Sequence, residues 1–468
     1  MSVISRKALG TRESSRFDAE AFRQDDIDHE AWLRNDHAAR TLSSVIGDRK
    51  RSQFDKRGLT DDVSYVSITS IDGQDGAVFA DLIKKDDLPS RAKWLISAGD
   101  ILVSQVRPER GAVGWASSDL QGSIGSSGCY LVPASKMDAM ERAALFLYLR
   151  TDSARRQIVR RNRNSMYPAV AAQDLDQILI PDFSTADFDL AAKKMDEFEK
   201  ALAEMRARRA EALDLISDLL RVPGIPPSPF DSAKPVDTTV ITRSAVRSAS
   251  RIDAEFFRSE YGDFAEKLQR ADHFPLNKYF ELISGRVVNG DDPVPIIKQG
   301  MLTNYGPNVT AVEVESAKRG KGVSARKGDI ALASTAHEVA YVGRKVDQIR
   351  ELPSLLDNNQ VVAELMLIRP RNDNQPVSTS YVTDFLRHPA GRHQVQRCIR
   401  GLRGGHTYPQ DVGAYVLLPH PDDAWMARYE LVASAGETAR ARAIESVRVG
   451  VRHMSERFNG STTVPPGP

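Results

Sequence analysis

The chain reads as an α+β protein made of two homologous halves in tandem, each a mixed, strand-rich domain followed by a long helix, with the two helices packing as an antiparallel coiled coil. Three observations predict this: an apolar seam with a period near 3.5 residues, a set of short segments that occur twice in the same order, and a proline-rich break between the copies.

The seam runs from Phe188 to Leu220. Ala191, Met195, Phe198, Leu202, Met205, Ala212, Ile216 and Leu219 follow one another at spacings of four and three, interrupted by Arg209. Only a helix laid against another helix needs that period. Lys193, Lys194, Glu197, Glu199, Lys200, Glu204, Arg206, Arg208 and Glu211 fill the intervening, solvated positions. At 1.5 Å per residue such a helix is about 50 Å long. It cannot bury its own seam. The partner expected is Asp423–Phe458, where Ile444, Val447, Val451, Met454 and Phe458 repeat the spacing; a local hairpin or a homodimer is the alternative. Gly436 and Gly450 in that second helix are expected to weaken it by about 1 kcal/mol each relative to alanine.

The repeat is carried by RFDAEAFR at Arg16–Arg23 and RIDAEFFR at Arg251–Arg258, identical at six of eight positions. Self-similarity over such a separation signals a duplicated unit. Gly99-Asp100-Ile101 recurs as Gly328-Asp329-Ile330, each opening a short apolar run that reads as a buried strand. Leu149, Arg150, Arg155 and Gln157 recur as Leu386, Arg387, Arg392 and Gln394. Tyr167-Pro168 is matched to Tyr408-Pro409, and Gln173-Asp174 to Gln410-Asp411, each leading to a strand that ends at Pro181 or Pro419. Between the copies, Pro223, Pro226, Pro227, Pro229 and Pro235 exclude a helix or a central strand. The domains expected are therefore 1–185, a central helix 186–222, a linker 223–248, a second domain 249–420, a distal helix 421–459 and a frayed tail 460–468.

Composition bounds the function. The 468 residues are 41% hydrophobic and 27% charged, the profile of a globular chain too long for one core. No apolar run is long enough to cross a membrane, and the N-terminal segment lacks the apolar core of a secretory signal. Cys129 and Cys398 are too few for a disulfide framework and fit a reducing cytoplasm. With a net charge of +1, any nucleic-acid contact has to come from local patches.

Such patches exist. The turn at Arg107–Gly111 projects Arg107 and Arg110. The segment Arg142–Arg163 is helical in pattern and carries Arg156, Arg160, Arg161 and Arg163. In the second half, Arg397, Arg400 and Arg403 approach a Gly-Gly-His-Thr-Tyr run, and Lys318, Arg319, Lys321, Arg326 and Lys327 form a further basic stretch. Clusters of this kind suit phosphate and base-edge contact; the competing reading is a solvated helix face.

Catalytic motifs are missing. Gly320–Ser324 lacks the order of a P-loop, Ser284–Gly290 lacks dinucleotide glycine spacing, and His337-Glu338 has Tyr341 where a zinc-binding helix needs its second histidine. Neither cysteine has a partner at metal-ligand spacing. No Asn-Pro-Pro-aromatic or Asp-Pro-Pro-aromatic tetrapeptide of an amino-methyltransferase occurs. No cofactor and no metal is expected, and the chain is not expected to be an enzyme.

The repeated RxDAExFR entries, the Gly-Asp-Ile strands, SQVRPERGAV at Ser104–Val113, the Tyr-Pro loops and the strands ending at Pro181 and Pro419 together resemble the specificity subunit of type I restriction-modification systems. The resemblance covers nearly the whole chain, although the proline- and glutamine-rich opening common in that family's helices is absent. It implies two target-recognition domains, each reading one half of a bipartite sequence in double-stranded DNA, with the helical pair as spacer. It also implies methyltransferase and restriction or translocase subunits as partners, in a cytoplasmic phage-defence complex. On that reading Arg107, Arg110, Arg326 and Lys327 contact bases, and Arg156, Arg160, Arg161, Arg163, Arg397, Arg400 and Arg403 contact phosphates. A scaffold of a related defence complex that does not itself read DNA, and an enzyme fused to its own reader, are the alternatives.

Overall fold

A computed structural model describes residues 23–47, 52–55, 59, 62–135, 137–162, 168–220, 240–249, 251–269, 272–308, 312–337, 339–372, 375–401 and 405–459. Most of the first entry motif, residues 223–239 of the expected linker, the tail, Arg163, Tyr167 and Arg403 lie outside them; the described end of that linker runs into a short helix, Arg243–Ala249. The chain divides into two compact units: residues 1–203 with 439–468, and residues 204–438. The division falls inside both long helices, Thr185–Leu220 (central) and Asp423–Phe458 (distal), so each unit contains one recurring domain and a stretch of each helix.

In the first unit, helix α1 (Gln24–Asp36) precedes strand β1 (Arg40–Thr41), β2 (Asp62–Val66), β3 (Asp81–Lys84), β4 (Ala92–Leu95), β5 (Ile101–Ser104), β6 (Val113–Trp115), β7 (Ile124–Ser126) and β8 (Cys129–Val132). Helices α2 (Ala139–Leu149) and α3 (Asp152–Arg160) and strand β9 (Leu179–Ile180) follow. The sheets have the orders β3-β2-β7-β4 and β6-β5-β8, and β1 pairs antiparallel with β9. All four residues of the central strand β5, and of β8 beside it, are buried.

The second unit repeats this plan. It contains β10 (His273–Pro275), β11 (Phe280–Ser284), β12 (Asp292–Ile297), β13 (Glu313–Ala317), β14 (Ile330–Ala333), β15 (Thr335–Ala336), β16 (Val346–Gln348), β17 (Gln360–Val361), β18 (Leu365–Pro370), β19 (Gly405–His406) and β20 (Leu417–Pro419). Its helices are α4 (Ser259–Gln269), α5 (Thr379–Arg387), α6 (Pro389–Arg397) and α7 (Pro409–Tyr415). The order β18-β14-β16 matches β8-β5-β6, and β13-β12-β17 matches β3-β2-β7, down to the parallel pairing of β12 with β17 and of β2 with β7; β11 extends the first of these sheets only in the second unit, and β4 the other only in the first.

The repeated residues hold the same positions in both copies. Gly99 and Gly328 both take a positive φ, 82° and 92°, to turn the chain into β5 and β14, which is why glycine stands there. Ala116 N–H donates to the carbonyl of Asp100, and Ile349 N–H to that of Asp329. Arg150 donates to the carbonyl of Val113 on β6, and Arg387 to that of Val346 on β16, at 2.6 and 2.8 Å. Gln157 clamps Leu179 through both peptide groups, donating to its carbonyl at 3.2 Å and accepting from its N–H at 2.7 Å. Gln394 does the same to Leu417, at 3.0 and 2.8 Å.

The two long helices pack antiparallel. In the first unit Ser446 Oγ donates to the carbonyl of Lys194, while His453 and Arg457 reach Asp187, both at 2.8 Å. The central seam is buried as read, except that Leu219 is half-buried while Leu215 and Leu220 go under. The distal seam is borne out at Val447, Met454 and Phe458, which are buried, but not at Ile444 and Val451, which are half-buried; Val432, Gly436, Ala439, Ala443, Ser446 and Gly450 are buried as well. Small residues let neighbours approach: a Cβ at Gly450 would meet Leu147 Cδ1 at 2.6 Å, and one at Gly436 would meet Arg208 Cβ at 3.3 Å.

Candidate nucleic-acid interface

Arg156, Arg160 and Arg161 of the basic helical segment are turned to internal partners. Arg156 pairs with Asp26 at 3.0 Å, and Arg160 and Arg161 both pair with Glu30, at 2.8 and 3.0 Å, so α3 is fastened to α1. The Arg160 side chain is only 3% exposed. In the second unit Arg397 Nε donates to the carbonyl of Phe256 at 3.2 Å with its guanidinium 4.3 Å from that ring, and Arg400 grips Asp411 with two bonds of 2.8 and 2.9 Å. The side chains expected at phosphates, Arg156, Arg160, Arg161, Arg397 and Arg400, thus meet intramolecular acceptors: distant carboxylates for the first three, a distant backbone carbonyl for Arg397 and a carboxylate 11 residues away for Arg400. Arg163 and Arg403 fall outside the described residues.

The RIDAEFFR entry proves to be part of the same fastening. Arg251, 3% exposed, donates to the carbonyls of Cys398 and Ile399 at 3.2 and 2.9 Å and to Asp253 at 2.5 Å. Phe256 lies between Arg251 and Arg397, 4.4 and 4.3 Å from their guanidinium carbons. The motif ties the entry of the domain to the end of α6.

Arg107 and Arg110 do lie on the surface, in the turn between β5 and β6. Arg107 takes a left-handed backbone, φ 49° and ψ 60°, uncommon for a residue with a side chain. Its N–H donates to the carbonyl of Pro168 at 2.9 Å, and Gly111, at φ 60°, closes the turn. Sequence reasoning missed a neighbour: Arg155, its side chain 48% exposed, lies beside the turn, where a Cβ at Gly111 would meet its Cδ at 3.3 Å. Its identity as one of the recurring arginines was the only available signal.

Arg326 and Lys327 are also exposed, but they precede β14, whereas Arg107 and Arg110 follow the corresponding β5. The structure does not place them at equivalent ends of the domain. The Tyr-Pro match is corrected as well. Asp174 N–H donates to the carbonyl of Ala171 and Asp411 N–H to that of Tyr408, so Tyr408-Pro409 corresponds to Ala171-Ala172, not to Tyr167-Pro168. Thr407 N–H donates to Ser334, and Val170 N–H to Gln105, which fixes the same register.

Each domain also meets a long helix through an arginine. In the first unit Arg440 of the distal helix pairs with Asp72 at 2.6 Å and with Asp75, both carboxylates buried. Burial pushes the Asp72 carboxyl up to about 6; Arg440 opposes the rise and Asp75 adds to it. In the second unit Arg209, the residue that interrupts the central seam, donates to the carbonyl of Asn304 and lies 4.2 Å over the Tyr305 ring. The Asp347 carboxylate accepts the N–H groups of Thr303, Asn304 and Gly306 and so shapes that loop.

Among the described residues no group of histidine, cysteine and carboxylate side chains could hold a metal ion, and no helix is long and apolar enough to cross a membrane. Burial pushes the thiols of Cys129 and Cys398 up to about 12, which keeps both protonated and unreactive.

No family model and no curated protein matches the chain. The chain is similar to three solved structures, two of them of S subunits. The HsdS subunit from Thermoanaerobacter tengcongensis is 17% identical over 91% of this chain and 97% of its own, with a TM-score of 0.33. A chain from a structural study of complex assembly and conformational transition in the type I R-M system is 19% identical over 91% and 98%, at 0.32. The type I restriction-modification S subunit from M. genitalium is 12% identical over 90% and 93%, at 0.29. Likeness at that level carries no functional argument, which has to come from the residues of the chain itself.

Proposed function

We propose that the chain is a DNA-recognition subunit with no chemistry of its own, in which each unit reads one half of a bipartite duplex sequence. The observation that carries this reading is the contrast between frame and tip. The two units share backbone-directed contacts at Arg150 and Arg387, Gln157 and Gln394, and Gly99 and Gly328, yet differ in the side chains that their loops expose. A duplicated frame with divergent tips suits two different half-sites, and joining them turns two modest contacts into one tight one.

Arg107 and Arg110, with Arg155 beside them, are the base-reading and phosphate-reading groups proposed for the first unit, while Arg326 and Lys327 supply charge in the second. Methyltransferase and restriction subunits are the proposed partners, and the helical pair is the proposed spacer. Co-purification with the products of neighbouring genes, followed by mapping of methylated sites, tests the whole. The direct test is duplex binding across a salt series. Replacing Arg107 and Arg110 with alanine should weaken binding, flatten the salt slope by about 0.9 for each phosphate no longer neutralised, and blur one half-site only.

One observation favours a second reading. So many arginines are taken by internal partners that the basic surface is smaller than the sequence suggests, as suits a scaffold that does not read DNA. Absence of salt-dependent duplex binding by the full chain would establish that alternative.

A further inference from the structure

The register that overturns the Tyr-Pro match also shows which part of the second unit stands where Arg107 and Arg110 stand in the first. Ser104 N–H donates to Ala112, and Ala333 N–H to Lys345. The segment from Ser334 to Arg344 is therefore the counterpart of the Arg107–Gly111 turn. Arg326 and Lys327 lie at the other end of β14, roughly 13 Å away for a four-residue strand at about 3.3 Å per residue.

The counterpart segment, strand β19 paired with it and the residues just after β19 expose aromatic side chains, with the partly exposed Arg400 held behind one of them. Tyr341 is 42% exposed and Tyr408 43% exposed. Each ring has a guanidinium against it: Arg344 lies 4.9 Å from the Tyr341 centroid and Arg400 5.4 Å from that of Tyr408. Arg400 is itself held by Asp411, so the stack has a fixed support. His406 is exposed, and its Nδ1 lies 3.1 Å from the Thr335 hydroxyl, which leaves Nε2 as the ring nitrogen able to meet an external group. The surface is rigid. Strands β15 and β19 pair through Thr335 and His406, Thr407 Oγ1 donates to the carbonyl of Ser334, and Gln299 donates to that of Thr335 at 2.5 Å. Gly405 permits the close packing, since a Cβ there would meet Val342 at 2.7 Å.

We propose that the second unit reads its DNA half-site through Tyr341, His406 and Tyr408, and that the Arg326–Lys327 turn contributes only backbone attraction. The proposal rests on the DNA-recognition reading above. Aromatic faces and hydroxyl or imidazole groups meet base edges and thymine methyl groups without releasing counterions, whereas lysine and arginine on phosphates do release them. The two half-sites should therefore differ in kind, the first recognised largely by guanidinium groups and the second largely without them.

The test is selection from a randomised duplex library by the full-length chain, with binding of the selected duplex then measured across salt. The Tyr341→Ala, Tyr408→Ala double variant should lose sequence preference over one half-site, with affinity down about tenfold to a hundredfold and the salt slope unchanged. Tyr408→Phe, which keeps the ring against Arg400, should soften one or two positions of that half-site in a chain that folds normally. The Arg326→Ala, Lys327→Ala variant should flatten the salt slope and leave both preferences intact. The proposal is overturned if the arginine-lysine variant blurs a half-site while the tyrosine variants blur none. If the wild-type chain enriches no sequence, and the Arg107→Ala, Arg110→Ala variant changes nothing, the DNA-recognition reading fails and takes this proposal with it.

Discussion

At Gln157 a single side chain engages both buried peptide groups of Leu179, whose carbonyl also accepts from the Tyr148 hydroxyl at 2.9 Å. Truncation to alanine should leave the Leu179 N–H unsatisfied, at a cost of about 1 to 3 kcal/mol. The loss should be local. Amide exchange at Leu179 should accelerate while that at Leu417, still held by Gln394, stays slow. Equal acceleration at both would mean that the clamp is not what protects the strand. Asp72 supports a pH prediction. Its folded carboxyl, raised to about 6, keeps a proton that the unfolded chain releases near pH 4, so the folded state binds more protons in that window and stability falls as pH rises through it. Asp187 opposes this trend. Burial alone would raise its carboxyl, but Ser184, His453 and Arg457 together hold it below the usual range, so its contribution is present above pH 4 or so and is lost on acidification. Comparing wild type with Asp72→Asn isolates the first effect: the urea midpoint of the wild type should drop between about pH 4 and pH 6 relative to the variant. A constant difference across that range would remove Asp72 from the account.

Among the elements, the distal helix shows why glycine in a helix is not always a defect. Alanine at Gly436 meets Arg208 Cβ at 3.3 Å, a contact that small shifts accommodate, and should be close to neutral after a propensity gain of about 1 kcal/mol. Alanine at Gly450 meets Leu147 at 2.6 and 2.9 Å and should cost about 1 to 3 kcal/mol despite the same gain. Thermal unfolding of the two variants distinguishes them, and a stabilised Gly450→Ala would refute the packing argument. The same helix marks the limit of pattern reading. Hydropathy found the central seam because Met195, Phe198, Leu202 and Ile216 are large. It misjudged part of the distal one because Ala439, Ala443 and Gly450 are buried by closeness rather than by apolar mass. The duplicated arginine, glutamine and glycine positions were legible because the same backbone task selects the same residue twice. The pairing of Arg156 with Asp26 and of Arg160 with Glu30 was not, since charge sign and spacing do not say which distant carboxylate the fold will bring near. Tyr408-Pro409 was mismatched for another reason: a dipeptide can recur by chance, and the spacing of two residues to the repeated Gln-Asp pair already aligns Tyr408 with Ala171, as strand register shows.

For the molecule as a whole, the proposed spacer can be lengthened. Four residues inserted near Arg209 would displace a side chain that holds Asn304 and Tyr305, so that site is a poor choice. Insertion of one heptad in each helix, between Ala203 and Glu204 and between Thr438 and Ala439, where the two units divide, keeps the seam within about 20° of its phase. It adds roughly 10 Å at 1.5 Å per residue, close to three base pairs at about 3.4 Å. The preferred gap between half-sites should widen by about three base pairs while both half-site sequences stay the same. Methylation or binding on duplexes that differ only in gap length measures it; an unchanged optimum in a folded variant would rule out the spacer role.

The glutamine clamp also bears on how such a chain changes over generations. Gln157 and Gln394 hold peptide groups, which every residue type supplies, so the strand they grip can drift in side chain without loosening the frame. If each unit reads its own half-site, as proposed, the frame and the exposed loops are separable sets of positions. A lineage carrying this chain would then acquire a new preference by mutation or recombination at the loops of one unit, while the other unit kept its own.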